Sequence, residues 1–385
     1  MPDRHRNVAV LGSTGSIGRN TLDVIQDRGD QLTAVALSAH RQLRLLCRQA
    51  NDHAVRWIIA TDPDAAARFT WPDAPGKAEV LIGAEALCRI VARPEVDVVV
   101  AGIVGSAGLK STLAAVGAGK TVALANKEAL VMAGPLVMEM AQKCAARIVP
   151  VDSEHSAVFQ CLQAGRRDEV CRVILTASGG PFRDYSQARL RDVTVPQALD
   201  HPTWKMGPKI TVDSATMMNK ALEIIEARWL FALDPDQIRV VVHPQSIIHS
   251  LVEFRDGSLI AQMSPPDMRL PIQYALTYPE RWEGPAHRLD WTRNWHLELI
   301  PADLERFPAL ALGFEVARAG GTAGAVLNAA NEAAVARFLD SQLGFTDIVR
   351  VCRAVLNQHE FDSNPTIDTL LALDRWAREE VSRWN

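Results

Sequence analysis

The sequence predicts an α/β protein in three parts: a parallel sheet covered by helices, a mixed α+β region, and an all-helical tail. Three observations carry that reading. An apolar run at residues 7–11 passes straight into Gly12-Ser13-Thr14-Gly15-Ser16-Ile17-Gly18 and then into the helix-like residues 20–25. Strand-length apolar runs alternate with helical segments as far as residue 150, the pattern of parallel strands joined by crossover helices. Beyond residue 152 the pattern changes. Residues 240–254 and 258–263 read as antiparallel strands turning at Asp256-Gly257, and the chain beyond residue 308 is rich in alanine and leucine at helical spacing.

The bulk properties bound the function classes. At 385 residues the chain is long enough for two or three domains. It is 48% hydrophobic and 22% charged, so a normal core is expected. Its 41 Lys and Arg against 45 Asp and Glu leave −4, which gives no whole-chain electrostatic attraction to nucleic acid or an anionic membrane. No apolar run approaches the length of a membrane-spanning helix, and the start of the chain does not read as a secretory signal. Six scattered cysteines (47, 88, 144, 161, 171 and 352) suit reduced thiols in a cytoplasm.

Strand, glycine turn and helix in succession form the Rossmann-type context in which backbone N–H groups hold a pyrophosphate. The spacing here is G-x-x-G-x-x-G. A second strand, residues 32–37, ends in Ser38-Ala39-His40-Arg41, where such a domain inspects the adenosine ribose. No acidic residue stands there, and Arg41 could meet a 2′-phosphate, which favours NADP; an ordinary exposed arginine at a helix start is the plainer alternative. Strands at residues 56–60, 96–101 and 121–125 continue the sheet. Gly108-Leu109-Lys110-Ser111 lacks the Gly-Lys-Ser/Thr order of a P-loop. Asn126-Lys127-Glu128 follows the strand at 121–125, at the sheet end where ligands bind.

Val151-Asp152-Ser153-Glu154-His155 follows the apolar residues 147–150. If the strand continues, its period of two places Asp152 and Glu154 on one side with Ser153 opposed. Two hard oxygen ligands so placed form half a site for a divalent cation; a solvated acidic turn is the plainer reading. Ala177-Ser178-Gly179-Gly180 is a small-residue turn that lets backbone approach an anion. His201-Pro202-Thr203-Trp204-Lys205-Met206-Gly207-Pro208 has the make-up of a lid, an indole and a thioether in a loop bounded by proline and glycine. Asp213 or Ser214 reads as the cap of a helix over residues 217–231, on which Asn219 and Glu223 share a face beside Lys220. Residues 278–301, rich in Pro, Trp and Arg, read as a linker, and the rest as a small helical bundle.

In combination, the turn at 12–18, Asn126-Lys127-Glu128, Asp152-Ser153-Glu154-His155, Ser178-Gly179-Gly180-Pro181-Phe182, residues 201–207, residues 213–223 and Pro266-Asp267-Met268-Arg269 closely resemble the 1-deoxy-D-xylulose 5-phosphate reductoisomerase family. The resemblance runs from residue 7 to the C-terminus. It implies an NADPH-binding Rossmann domain (1–150), a catalytic α+β domain (151–277), a linker (278–303) and a C-terminal helical domain (304–385), assembled as a cytoplasmic homodimer. It also implies a reaction: rearrangement of a 2-ketose phosphate by retroaldol cleavage and re-addition, then hydride transfer to give 2-C-methyl-D-erythritol 4-phosphate. Asp152, Glu154 and Glu223 would hold Mg²⁺, Mn²⁺ or Co²⁺. Ser178, Ser214, Asn219 and Lys220 would bind the substrate phosphate with His201 closing on it, while Lys127 and Ser153 meet the sugar oxygens and Trp204 covers them. Thr14, Gly15, Ser16, Ile17, Gly18, Arg41, Gln42, Asn126, Lys127, Glu128, Met206, Gly207 and Met268 would contact NADPH. The family commonly has Gly-Lys-Asn or Asn-Arg-Asn where this chain has His40-Arg41-Gln42, so the basic centre is kept. An aspartate-semialdehyde dehydrogenase-like enzyme would need a cysteine nucleophile in a polar turn, which none of the six cysteines provides. An idle NADP-binding scaffold would have no use for carboxylates, lysine and lid together.

Overall fold

The computed structural model describes residues 5–71, 78–204, 206–292 and 294–384. Two compact units emerge: Met1–Asn126, Leu136–Ser156 and Asp267–His287 form the first; Lys127–Pro135, Ala157–Pro266 and Arg288–Asn385 form the second.

The first unit is built on seven parallel strands: β1 (Arg6–Leu11), β2 (Leu32–Ala39), β3 (Trp57–Ala60), β4 (Glu79–Ile82), β5 (Val98–Ala101), β6 (Thr121–Leu124) and β7 (Arg147–Pro150). Their order is β4-β3-β2-β1-β5-β6-β7, so the winding reverses between β1 and β5. Central strands buried on both faces read as continuous apolar runs, as Val8, Ala9 and Val10 of β1 and Val99 and Val100 of β5 do. Helices α1 (Ser16–Asp27), α2 (Leu43–Asp52), α3 (Pro63–Arg68), α4 (Ala84–Val91) and α5 (Leu109–Gly117) cross between strands. Helix α6 (Lys127–Lys143) kinks at Ala133, two residues before Pro135, so the second unit holds its first half and the first unit its second. Helix α7 (Ser153–Cys161) follows β7 almost at once.

The second unit holds a five-stranded mixed sheet: β8 (Val170–Ala177), β9 (Ile238–Val242), β10 (Ile248–Phe254), β11 (Leu259–Met263) and β12 (Ile300–Pro301), ordered β11-β10-β8-β9-β12. The expected hairpin at Asp256-Gly257 is present as β10–β11. The stretch from residue 240, also expected to be antiparallel, falls in β9, which is antiparallel to β12 but pairs in parallel with β8. Helices α8 (Gln187–Leu190), α9 (Val195–Leu199), α10 (Pro208–Thr216) and α11 (Met218–Leu230) lie between β8 and β9. Helix α12 (Arg269–Thr277) belongs to the first unit and packs on α1, β6 and β7. The tail supplies α13 (Pro308–Ala319), α14 (Ala323–Leu339), α15 (Asp347–Gln358) and α16 (Ile367–Arg383). Sheet and tail share one apolar core, in which Leu175, Phe182 and Leu222 meet Leu312, Val326 and Ile348. The outline therefore differs from the four-part division read from sequence: residues 267–287 sit with the seven-stranded sheet, and middle and tail are continuous. Among the described residues no helix is long and apolar enough to cross a membrane.

Candidate active site

In the first unit the glycine turn lies at the carboxyl end of β1, beside the point where the winding reverses. Gly12 takes φ +78°, and a Cβ there would stand 2.9 Å from the Gly102 carbonyl oxygen. A Cβ on Gly18 would lie 2.3 Å from Ser13 Cα, so only glycine lets α1 start this close to the strand. Gly15 is the residue before α1, while Ser16 and Ile17 open its first turn with N–H groups that have no partner one turn back. Thr14 is buried beneath them. At the end of β2, Arg41 Nε donates to Asp62 Oδ2 at 3.0 Å, and His40 and Gln42 flank it in solvent. The Ala65 N–H, then the Arg41 guanidinium, hold the Asp62 carboxyl below its usual range. Buried Asn126 donates to the carbonyls of Ile103 and Gly105, fixing the glycine-rich loop after β5. Met268 precedes α12 and is half-buried.

The acidic pair also stands in this unit, and its setting corrects the extended-strand reading. β7 ends at Pro150, and Ser153 already begins α7, whose first turn carries Glu154. Alternation along a strand therefore does not align the two carboxylates. Asp152 lies immediately before the helix, its carbonyl accepting from Ser156 N at 2.8 Å, and Glu154 accepts from the Ser153 hydroxyl. Both acidic residues are half-buried, and Nδ1 of the buried His155 ring lies 3.6 Å from Asp152 Oδ2.

In the second unit a cationic cluster surrounds one carboxylate. Glu223 on α11 has no exposed surface. Its Oε1 accepts from Asn219 Nδ2 one turn earlier and from Lys127 Nζ at 3.3 Å, while Lys220 Nζ pairs with Oε2 at 2.5 Å. Lys127 Nζ also donates to Asn219 Oδ1 at 2.9 Å. The shared face of Asn219 and Glu223 is thus present. The expected cap is not: Asp213 and Ser214 lie inside α10, and the break falls at Met217, which takes a left-handed φ of 62° between α10 and α11. Asp213 instead binds Lys209.

Beside this cluster, His201 Nε2 lies 3.1 Å from both Ser178 Oγ and Ser214 Oγ. Its Nδ1 accepts from the Thr203 and Trp204 N–H groups, which leaves the proton on Nε2. Burial lowers the His201 pKa and favours the neutral ring. Gly179 and Gly180 both take positive φ, turning the chain tightly beside Ser178. The lid-like loop runs from His201 to Gly207; Lys205 lies outside the described residues, and Trp204 faces the His249 ring with centroids 6.3 Å apart. Met206 and Gly207 lead into Pro208, first residue of α10. Two neighbours, Lys209 and Asp62, are absent from the sequence-based site, and Asp213 stands in it only as a cap. Lys209 and Asp213 are spaced i, i+4 on a helix and were legible on that ground; Asp62, before Pro63, carries an ordinary cap signal.

These two sets of side chains can serve distinct chemistries. Two serine hydroxyls, a histidine N–H, an amide and a lysine are donors for a phosphoryl group. A glycine turn at a helix start, with an arginine one strand away, suits a phosphorylated dinucleotide.

Comparison with known proteins agrees. Family models for the 1-deoxy-D-xylulose 5-phosphate reductoisomerase match residues 8–134, and those for its C-terminal domains match residues 148–231 and 263–380. The 1-deoxy-D-xylulose 5-phosphate reductoisomerase of Rhodopirellula baltica is 52% identical, over 96% of this chain and 93% of its own. That of Heliobacterium modesticaldum is 51% identical over 97% and 96%. Among solved structures, the Zymomonas mobilis enzyme in complex with NADPH is 44% identical with a TM-score of 0.90, covering 98% of each chain. A DOX-P reductoisomerase in complex with NADPH, fosmidomycin and magnesium is 41% identical with a TM-score of 0.92, covering 98% of this chain and 97% of its own. On its turn, its cationic cluster and these relatives, the chain belongs to the 1-deoxy-D-xylulose 5-phosphate reductoisomerase family.

Proposed function

We propose that this chain rearranges and reduces 1-deoxy-D-xylulose 5-phosphate to 2-C-methyl-D-erythritol 4-phosphate, with NADPH and a divalent metal, in isoprenoid precursor synthesis. The observation that carries the reading is the set Lys127, Asn219, Lys220 and Glu223, half-buried at Asn219 and buried at the other three, in which two lysines and an amide converge on one carboxylate. A stable core has no need of such a cluster, and a phosphorylated sugar with adjacent oxygens does.

The carboxylates Asp152, Glu154 and Glu223 would hold the metal; their hard oxygen donors fit Mg²⁺, Mn²⁺ or Co²⁺ and offer no thiolate that would select a softer ion. When bound, the ion supplies Lewis-acid polarisation of a carbonyl and its neighbouring oxygen, and NADPH supplies the hydride. Ser178, Ser214, His201, Asn219 and Lys220 bind the phosphate, and Lys127 with Ser153 orients the sugar oxygens. Trp204, carried on the loop after His201, covers the sugar and excludes water, which matters for an aldehyde that could otherwise escape. Thr14 to Gly18 cradle the pyrophosphate, Arg41 and Gln42 meet the 2′-phosphoribose, Asn126, Lys127 and Glu128 line the sheet end, and Met206, Gly207 and Met268 flank the nicotinamide. NADPH oxidation on adding the ketose phosphate, abolished by EDTA and restored by Mg²⁺ or Mn²⁺, is the test; oxidation indifferent to EDTA refutes the metal, and none at all refutes the activity.

We further propose a cytoplasmic homodimer. Edge strand β11 exposes Leu259, Ile260 and Met263, apolar side chains that a second copy would cover. All six cysteines are free thiols, which suits a reducing compartment. Light scattering that returns the monomer mass at micromolar concentration refutes the dimer.

A further inference from the structure

The tail carries none of the residues assigned to substrate, metal or cofactor, yet it is bonded to the segments that do. Helix α14 is buried along most of its length, and among the residues it buries is Asn331, with no exposed surface. A carboxamide there must find a partner. Asn331 Nδ2 donates to Asp213 Oδ1 at 2.8 Å. The other oxygen of Asp213 lies 2.8 Å from Lys209 Nζ, which donates in turn to Glu128 Oε1 at 3.2 Å. Glu128 adjoins Lys127 in the first turn of α6, and Lys209 stands two residues beyond Gly207 at the end of the lid-like loop.

A chain of charge-assisted bonds therefore runs from the tail, through the first turns of α10, to the start of α6. Burial by itself would lower the Lys209 pKa, but Asp213 and then Glu128 outweigh it and hold it above the usual range, so the link stays charged. Backbone contacts run alongside. A Cβ on Gly324 of α14 would lie 2.1 Å from the Val131 carbonyl oxygen of α6, and one on Gly313 of α13 would lie 2.7 Å from Ala221 Cα of α11. The tail thus abuts both helices that bear the cationic cluster.

We propose that Asn331 is a positioning residue for the reaction: through Asp213 and Lys209 it fixes Glu128, and with it the placement of Lys127 beside Asn219 and Glu223. It acts through other residues and touches no substrate. The inference rests on the reductoisomerase reading above.

The test is Asn331→Ala in the full chain, measured beside the parent at a temperature where circular dichroism shows both folded. The expected result is a kcat lowered about 10- to 100-fold, the scale of a small misplacement of a reacting group, a larger fall than any accompanying rise in the KM for the ketose phosphate or in the NADPH Kd. Lys209→Met keeps the aliphatic stem at a side chain that is 19% exposed, and it gives the same split should the alanine variant not fold. A lower melting temperature with full kcat, or an effect confined to KM or to NADPH affinity, overturns the proposal. An inactive parent removes the reductoisomerase reading and this inference with it.

Discussion

Replacing Glu223 by glutamine keeps shape and removes one negative charge from a place water does not reach. Lys127 Nζ stands 3.3 Å from one carboxylate oxygen and Lys220 Nζ 2.5 Å from the other. At an effective dielectric of about 20, such separations correspond to roughly 5 to 7 kcal/mol of attraction each. Most of that offsets the cost of burying the charges, and removing one partner of a buried ion pair has a net cost of about 3–5 kcal/mol. Glutamine still accepts one hydrogen bond, so the lower end, about 3 kcal/mol, is expected in the metal-free protein. The measurement is urea unfolding of the parent and Glu223→Gln without added metal. Turnover by NADPH absorbance and NADPH affinity by fluorescence are measured on the same samples. Turnover should fall at least about a hundredfold, since even residues behind a ligand cost 10- to 100-fold, while NADPH affinity holds. A variant as stable and as active as its parent would refute both the cluster's energetics and the metal assignment.

Lys220→Ala removes a charge-assisted donor worth about 1.5–3 kcal/mol, which should raise the KM for the sugar phosphate roughly 10- to 100-fold; a change confined to NADPH affinity contradicts that role. Arg41→Ala should narrow the NADPH-over-NADH preference by roughly tenfold, a modest figure because the guanidinium is largely solvent-exposed; an unaltered ratio means that Arg41 does not read the 2′-phosphate. His201 binds its proton less readily in the folded chain because burial disfavours the imidazolium. Its contribution to stability is therefore fully present above the unfolded value of about 6.5 and is lost as pH falls through the lower folded value. His201→Gln should flatten the decline of unfolding free energy below about pH 6.5, and a slope equal to the parent's would remove His201 as its source.

Local signals suffice where local physics decides the structure. The glycine turn needs positive φ and close approach, demands that glycine alone meets, so its conformation is written in its letters. Asn219 and Glu223 are one helical turn apart, and the contact between them follows from spacing. Errors arose where distant partners decide. A strand continuing through Glu154 is as compatible with residues 147–154 as one that ends at Pro150. β9 has the apolar, β-branched make-up of any strand, and only its neighbour β8 makes it parallel there. β4 carries only the three apolar residues Val80, Leu81 and Ile82, none of them buried, too short a run to stand out as a strand from sequence. Asn331 carries no local signal in its alanine-rich helix, because its partner is 118 positions away.

Met217 has a consequence for how this protein can vary. A left-handed backbone costs a residue with a side chain roughly 1–2 kcal/mol, and glycine would relieve that cost at the corner between α10 and α11. Yet Met217 is 2% exposed, and emptying such a site costs about 2–5 kcal/mol. The comfortable backbone residue is thus the poorer choice, and the bend is kept by the fit of one thioether in its niche. Loosening that niche, even from its far wall, would favour straightening the corner into a single rod and swing Asn219, Lys220 and Glu223 out of register together.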